Sequence, residues 1–180
     1  ALSAIPGSGL RALERLAATD EAPGTKVPFE LGIASYTFRS FPLEQALTWT
    51  ARLDVKRITL KDMHLPMAIT PAEMASVRAQ FKAAGVELSS CGVVYMKSEE
   101  EVRKAFAYAK LAGISMMVGV PLASLMDAAE QQVKETGIAM AIHNHGPGDK
   151  FFPTPAVALE HIKNLDKRIG MCHDIGHTKR

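Results

Sequence analysis

The chain has 180 residues, 47% of them hydrophobic and 22% charged, with a formal net charge of +2. That is a length for one domain and ample apolar content for a core, while the near balance of charge argues against nucleic acid or any other polyanion as a partner. No run approaches the roughly 20 consecutive apolar residues of a membrane span, and two cysteines, Cys91 and Cys172, are too few and too far apart for a disulfide framework or a cysteine-based zinc site.

Residues 1–27 are rich in Ala, Gly, Ser and Pro and lack the periodicity of the remainder. They are expected to be an appended segment or the remnant of a processed leader, with one short helix around Leu10, Leu13 and Leu16. Both a cytoplasmic and an exported location fit. From residue 28 onward strands and helices alternate. Strands are predicted over 31–38, 57–63, 87–94, 114–120, 138–145 and 168–174, with helices over 43–53, 71–84, 98–112, 122–136 and 155–165 between them. Thr70 followed by Pro71 is an N-cap with proline at the first helical position. Ser98 with Glu101 reads as a capping box. Met74, Val77, Phe81 and Ala84 share one helical face, and Val102, Ala105, Phe106 and Ala109 share another.

Three helix ends repeat one pattern: Lys82 to Gly85, Lys110 to Gly113 and Lys134 to Gly137, each followed at once by apolar residues. Lysine in the last turn meets the negative end of the helix dipole, and glycine after it adopts the left-handed conformation at little cost. Strict β/α alternation implies a parallel sheet with right-handed crossovers. In the fifth strand Met140 and Ile142 hold one parity while Ala139, Ala141 and His143 hold the other. In the sixth, Ile169 and Met171 oppose Gly170, Cys172 and Asp174. Bulk on one side and small or polar residues on the other suits a barrel, with helices outside and an axis inside, better than a sheet covered on both faces. The expected fold is therefore an α/β (β/α)8 TIM barrel, of which residues 28–180 cover about the first six β/α units. Such a chain exposes the edges of its first and sixth strands and is expected to self-associate.

In a barrel of this kind the chemistry lies at the carboxyl ends of the strands. His143 and His145, two positions apart, point to the same side of a strand, and parity makes that side the axis. Asp174 shares it from the neighbouring strand. Imidazoles with a carboxylate suit a divalent ion such as Zn, Mn, Co or Fe. A lone histidine at a strand end is more often a hydrogen-bonded structural residue, and His173 and His161 are read that way. Lys61 has inward parity after the second strand; it could hold a substrate oxygen, form a Schiff base, or simply pair with Asp62. Tyr36 and Phe38 are candidates for an apolar wall against a substrate ring, with His64 and Tyr95 at neighbouring strand ends.

The stretches GIASYTFRSF, LKDMHLP, AIHNHGPGD and DIGHT together resemble the sugar phosphate isomerase/epimerase family of xylose-isomerase-like TIM barrels, over residues 31–180. The resemblance implies a small carbohydrate substrate and a divalent metal that promotes loss of a proton beside a carbonyl through an enediolate. By position, Asp174 matches a metal-binding aspartate and His177 a histidine that touches substrate oxygens. His143 stands where many relatives carry a glutamate that is both ligand and base. A metal-bound imidazole cannot also be the base, so His143 and Asp174 are the expected metal ligands, and His145 and Lys61 the expected catalytic groups. His177, His64, Tyr36, Phe38 and Tyr95 are the expected substrate contacts. Isomerisation or epimerisation is the leading outcome. Elimination by a lyase or dehydratase is the alternative, and a non-catalytic sugar-binding barrel is the non-enzyme reading.

Overall fold

Residues 29–179 are described by the structure, a computed structural model. The expected helix around Leu10 to Leu16 lies outside the described residues. Leu31–Arg180 forms one compact unit. Six strands alternate with helices: β1 (Gly32–Ala34), α1 (Leu43–Arg52), β2 (Arg57–Leu60), α2 (Pro71–Ala84), β3 (Glu87–Met96), α3 (Glu99–Ala112), β4 (Met116–Pro121), α4 (Met126–Thr136), β5 (Ala139–His143), α5 (Pro155–Ile162), β6 (Ile169–Cys172) and the single-turn α6 (Ile175–Thr178).

All pairings are parallel, and the strands lie in sequence order from β1 to β6. A doubly wound sheet reverses its order at a switch point. This one does not, so right-handed crossovers place every helix on one face and leave the other to become the inside of a barrel. The register shows which residues face inward. Met140 stands beside Ile169 and Ile142 beside Met171, whereas Ala141 stands beside Gly170 and His143 beside Cys172. The first set joins the apolar core shared with Ala129 and Val133 of α4 and Ala158 and Ile162 of α5. At Gly170, on the second set, an added Cβ would meet nothing within 4 Å. The inward face is thus small and open, as the parity of β5 and β6 predicts.

The helices form where their caps and stripes place them. Thr70 and Glu73 complete a reciprocal capping box, and Met74, Val77 and Phe81 are buried with Ala84 partly so. Gly85, Gly113 and Gly137 end α2, α3 and α4 with φ of 65°, 74° and 74°, the left-handed cap that the lysine-to-glycine pattern predicts. The Ser98 box is only half made: Ser98 accepts from the Glu101 N–H, but the Glu101 carboxylate takes the N–H of Lys97 instead.

Several boundaries differ from the sequence expectation: the second strand ends at Leu60, the third runs on to Met96, the fourth begins at Met116 and the helix after the fifth ends at Ile162. The first strand stops at Ala34 and Ser35–Phe38 is a 3-10 helix, because buried Ser35 turns its Oγ to accept the Lys61 N–H at 2.9 Å. The fourth interstrand helix begins at Met126, after a separate 3-10 turn over Ala123–Leu125. The fifth strand stops at His143, and the sixth at Cys172, because Asn144 and Asp174 leave the ladder to bind each other. No helix among the described residues is long and apolar enough to cross a membrane.

Candidate metal centre

Two short connections at the carboxyl ends of β5 and β6 build the site. The Asn144 side chain, fully buried, accepts the Asp174 N–H at 2.9 Å and donates to the Asp174 carbonyl and the Thr178 hydroxyl at 3.2 and 3.1 Å. Asp174 in turn N-caps α6, its Oδ1 accepting the His177 N–H at 2.8 Å. This capping swings His177 back over β5. Gly146 permits the approach: it lies at φ +88°, and a Cβ there would stand 2.8 Å from the His177 carbonyl oxygen. His145, already off the strand, is held by its own N–H to the Phe152 carbonyl at 3.0 Å. The turn beyond is closed by Asp149, whose Oδ1 accepts the N–H groups of Phe151 and Phe152.

The result is a cluster in which His143, His145 and His177 each offer a nitrogen, all within 4.8 Å of one another. Tetrahedral ligands with bonds of about 2.0–2.1 Å stand about 3.3 Å apart, so modest ring movements bring the three to one ion. Asp174 Oδ2 lies 3.9 Å from His143 Nε2 and 3.8 Å from His177 Nε2. The rings of His143 and His145 meet edge to face at 4.5 Å. Burial, followed by the neighbouring His145, pulls the His143 pKa down to about 4, and burial also lowers His145. Near neutral pH His143 therefore keeps the lone pair that a metal requires. Although burial pushes Asp174 upward, the His177 N–H and the nearby imidazoles outweigh it and hold the carboxyl below its ordinary range. His143 Nδ1 and His177 Nδ1 are buried without a hydrogen-bond partner. An orphaned ring nitrogen costs about 1–3 kcal/mol, a penalty that a bound partner would remove. The donor set fits a divalent ion.

The other sequence candidates fall at different depths. Lys61 follows β2, and its charge bears on both His143 and His145; it forms no ion pair with Asp62 among the described residues. The Tyr95 hydroxyl, near the end of β3, lies 3.1 Å from both ring nitrogens of His145. Tyr36 is half exposed beneath Lys61 and Arg39. Phe38 and His64 offer little surface: Phe38 is buried against Trp49, and His64 is buried with Nε2–H donated to the Phe41 carbonyl at 2.8 Å. His173 contacts Thr178, and His161 lies against Phe152. A cleft of about 520 Å³ is lined by Lys61 and Tyr95 together with Asp62, Lys97, Glu101 and Lys104, and by none of the three histidines. Sequence reasoning missed Asn144 and Gly146. The signal was a polar amide, followed by glycine, at the end of an apolar strand.

No protein-family model matches the chain, and no curated protein matches it significantly. Solved structures do. An uncharacterized protein from Parabacteroides distasonis superposes with a TM-score of 0.71 at 26% identity, over 84% of this chain and 65% of that one. A D-psicose 3-epimerase, solved in the presence of D-fructose, matches at TM-score 0.59 and 15% identity, over 78% and 62% of the two chains. A probable 3-DHS dehydratase from Bacillus anthracis matches at TM-score 0.57 and 8% identity, over 79% and 62%. Others are described as xylose isomerase-like TIM barrel or xylose isomerase domain proteins.

The fold is that of the xylose isomerase-like TIM barrels. The chain spans 62–65% of the length of the three proteins compared, and its six strands make up about six β/α units of that barrel. In a xylose isomerase-like barrel the imidazole cluster stands at the carboxyl-terminal mouth, where catalytic residues of TIM barrels lie.

Proposed function

We propose that the imidazole cluster binds a divalent metal ion and that the chain belongs to a sugar isomerase or epimerase that moves a proton beside a substrate carbonyl. The observation that carries this reading is the convergence of three imidazole donors and a carboxylate at the mouth of the barrel. His143, His177 and Asp174 are the ligands in this proposal, since Asp174 Oδ2 faces Nε2 of both histidines. His177 is thus assigned to the metal rather than to substrate oxygens alone. His145 differs from them: its ring meets the Tyr95 hydroxyl and is partly open. It is the group that accepts and returns the substrate proton, with Tyr95 holding the ring. A divalent cation at this site supplies Lewis acidity to the carbonyl and so acidifies the neighbouring C–H. Lys61 lies alongside to hold substrate oxygen, and the cleft that Lys61 and Tyr95 help to line gives a small polyol room. The same proton abstraction serves elimination if the substrate carries a leaving group. A lyase is the second reading, supported by the likeness to a probable 3-DHS dehydratase of the same fold.

Cobalt titration of the metal-free chain followed by visible absorption tests the first half. Tight uptake in the parent and in His145→Ala, with at least a hundredfold loss in His143→Ala and His177→Ala, is expected. Incubation with a ketose and keto-sugar panel in D2O tests the second: deuterium enters at the carbon beside the carbonyl. No uptake of any divalent ion by the parent removes the reading.

A further inference from the structure

The 3-10 turn after β1 carries two cations on one aromatic ring. The Arg39 guanidinium carbon stands 4.7 Å, and Lys61 Nζ 5.4 Å, from the centre of Tyr36. Arg39 also donates to the Tyr36 carbonyl at 3.3 Å, which fixes the guanidinium over its own turn. The Lys61 main chain is tied to the same turn through Ser35 Oγ. No carboxylate answers either cation: the ion pairs among the described residues include neither Arg39 nor Lys61. Along the adjoining cleft, by contrast, Asp62 and Glu101 offset Lys97 and Lys104, the last of which is paired with Glu100. Unbalanced positive charge is therefore concentrated at the Arg39–Lys61 end.

The cluster beside it does not restore the balance. Imidazole ligands bring no negative charge; among the described residues Asp174 faces His143 and His177, and Asp149 acts on His145, so these two carboxylates would be taken up by a divalent ion and leave Arg39 and Lys61 unanswered. A divalent cation there makes the mouth more positive still. An aromatic ring stabilises cations above its face but does not neutralise them, and a guanidinium fork beside an ammonium matches the oxygens of a carboxylate or phosphate.

We propose that Arg39 and Lys61, gathered on the Tyr36 ring, form an anion subsite beside the imidazole cluster, so that the substrate carries a carboxylate or phosphate group. This rests on the metal-centre reading only for the end of the substrate that reacts. The subsite itself needs no metal.

The test is calorimetric titration of the full chain, with and without cobalt, using erythritol, erythronate and erythritol 4-phosphate as probes. The two anions are expected to bind about tenfold or more tightly than erythritol, since one charge-assisted hydrogen bond is worth about that factor. The gap should shrink as salt rises from roughly 0.05 to 0.5 M. Arg39→Gln should lose about five- to tenfold in anion affinity with erythritol unchanged; Lys61→Met should lose at least as much in anion affinity, more than it loses for erythritol, and Lys61→Arg should restore most of it. Whichever anion binds more tightly names the group. Erythritol binding as well as the anions, or anion affinity unmoved in both charge-removing variants, overturns the proposal. Cobalt uptake, measured on the same samples, separates the two readings: anion preference without uptake removes the metal centre alone, and uptake without anion preference removes the subsite alone.

Discussion

Asn144→Ala is the perturbation with the most predictable size. The side chain is fully buried and makes three hydrogen bonds across the gap between β5 and α6. Two of its partners keep alternatives: the Asp174 carbonyl still receives the Thr178 N–H at 3.0 Å and the Thr178 hydroxyl at 2.8 Å. The Asp174 N–H does not, because Asn144 is its acceptor. An orphaned buried donor costs about 1–3 kcal/mol and each lost bond about 0.5–1.5 kcal/mol net, so the expected destabilisation is about 2–4 kcal/mol. In urea unfolding this appears as a lower midpoint at unchanged slope. A thermal melt should fall by roughly 5–15 °C. Because Asp174 both caps α6 and faces the rings, metal affinity should drop about 10- to 100-fold in the same variant. Thr178→Val, which removes the hydroxyl partner at the exposed edge of this network, should cost about 1 kcal/mol or less. A loss below 1 kcal/mol for Asn144→Ala, or equal effects of the two substitutions, would refute the reasoning that Asn144 is the clasp of the site.

Gly146→Ala should cost about 2–3 kcal/mol and weaken metal binding at least tenfold, because it combines left-handed strain of about 1–2 kcal/mol with a clash against the His177 carbonyl. Gly148→Ala, at φ +92° with nothing within 4 Å, carries only the strain. Identical behaviour of the two in urea and in calorimetry would show that the close approach is unimportant. The depressed pKa of His143 makes the metal-free protein acid-sensitive. Its unfolded form binds a proton below about 6.5, whereas the folded form does so only near 4. Stability is therefore full above pH 6.5 and falls, by roughly 3 kcal/mol from this group, as pH drops toward 4; Asp174, also depressed, adds its loss at lower pH still. Urea midpoints measured from pH 7.5 to 4 check this, and His143→Leu should flatten the slope. Among the described residues β1 and β6 each pair on one edge only, and the 180-residue chain is expected to self-associate; a sharp monomer peak on size exclusion, independent of concentration, contradicts that.

Much of the barrel was legible because its signals are local. A lysine in the last turn and a glycine after it need only their own helix, and Gly85, Gly113 and Gly137 behave as that chemistry demands. Parity in β5 and β6 is equally local, and it separates Ala141, His143 and Gly170 from Met140, Ile142 and Ile169. The geometry of the centre was less accessible. The sequence makes His145 the last residue of a strand, yet it is placed by Phe152, seven residues on. His177 reaches the cluster only because Asp174 starts a single turn of helix, which Asn144 pins from another strand. No periodicity announces bonds between residues thirty positions apart. Phe38, similarly, looks like a wall for a ligand until Trp49 covers it.

All the donors and their clasp lie between His143 and Thr178, within two successive β/α units. The imidazole centre is therefore a cassette. Exchange of this one stretch between barrels of the same strand order would carry the cluster, its clasp and its caps together, while Arg39, Tyr36 and Lys61 would stay behind with the recipient. Within such a lineage, the chemistry at the mouth and the charge of what enters it can diversify independently.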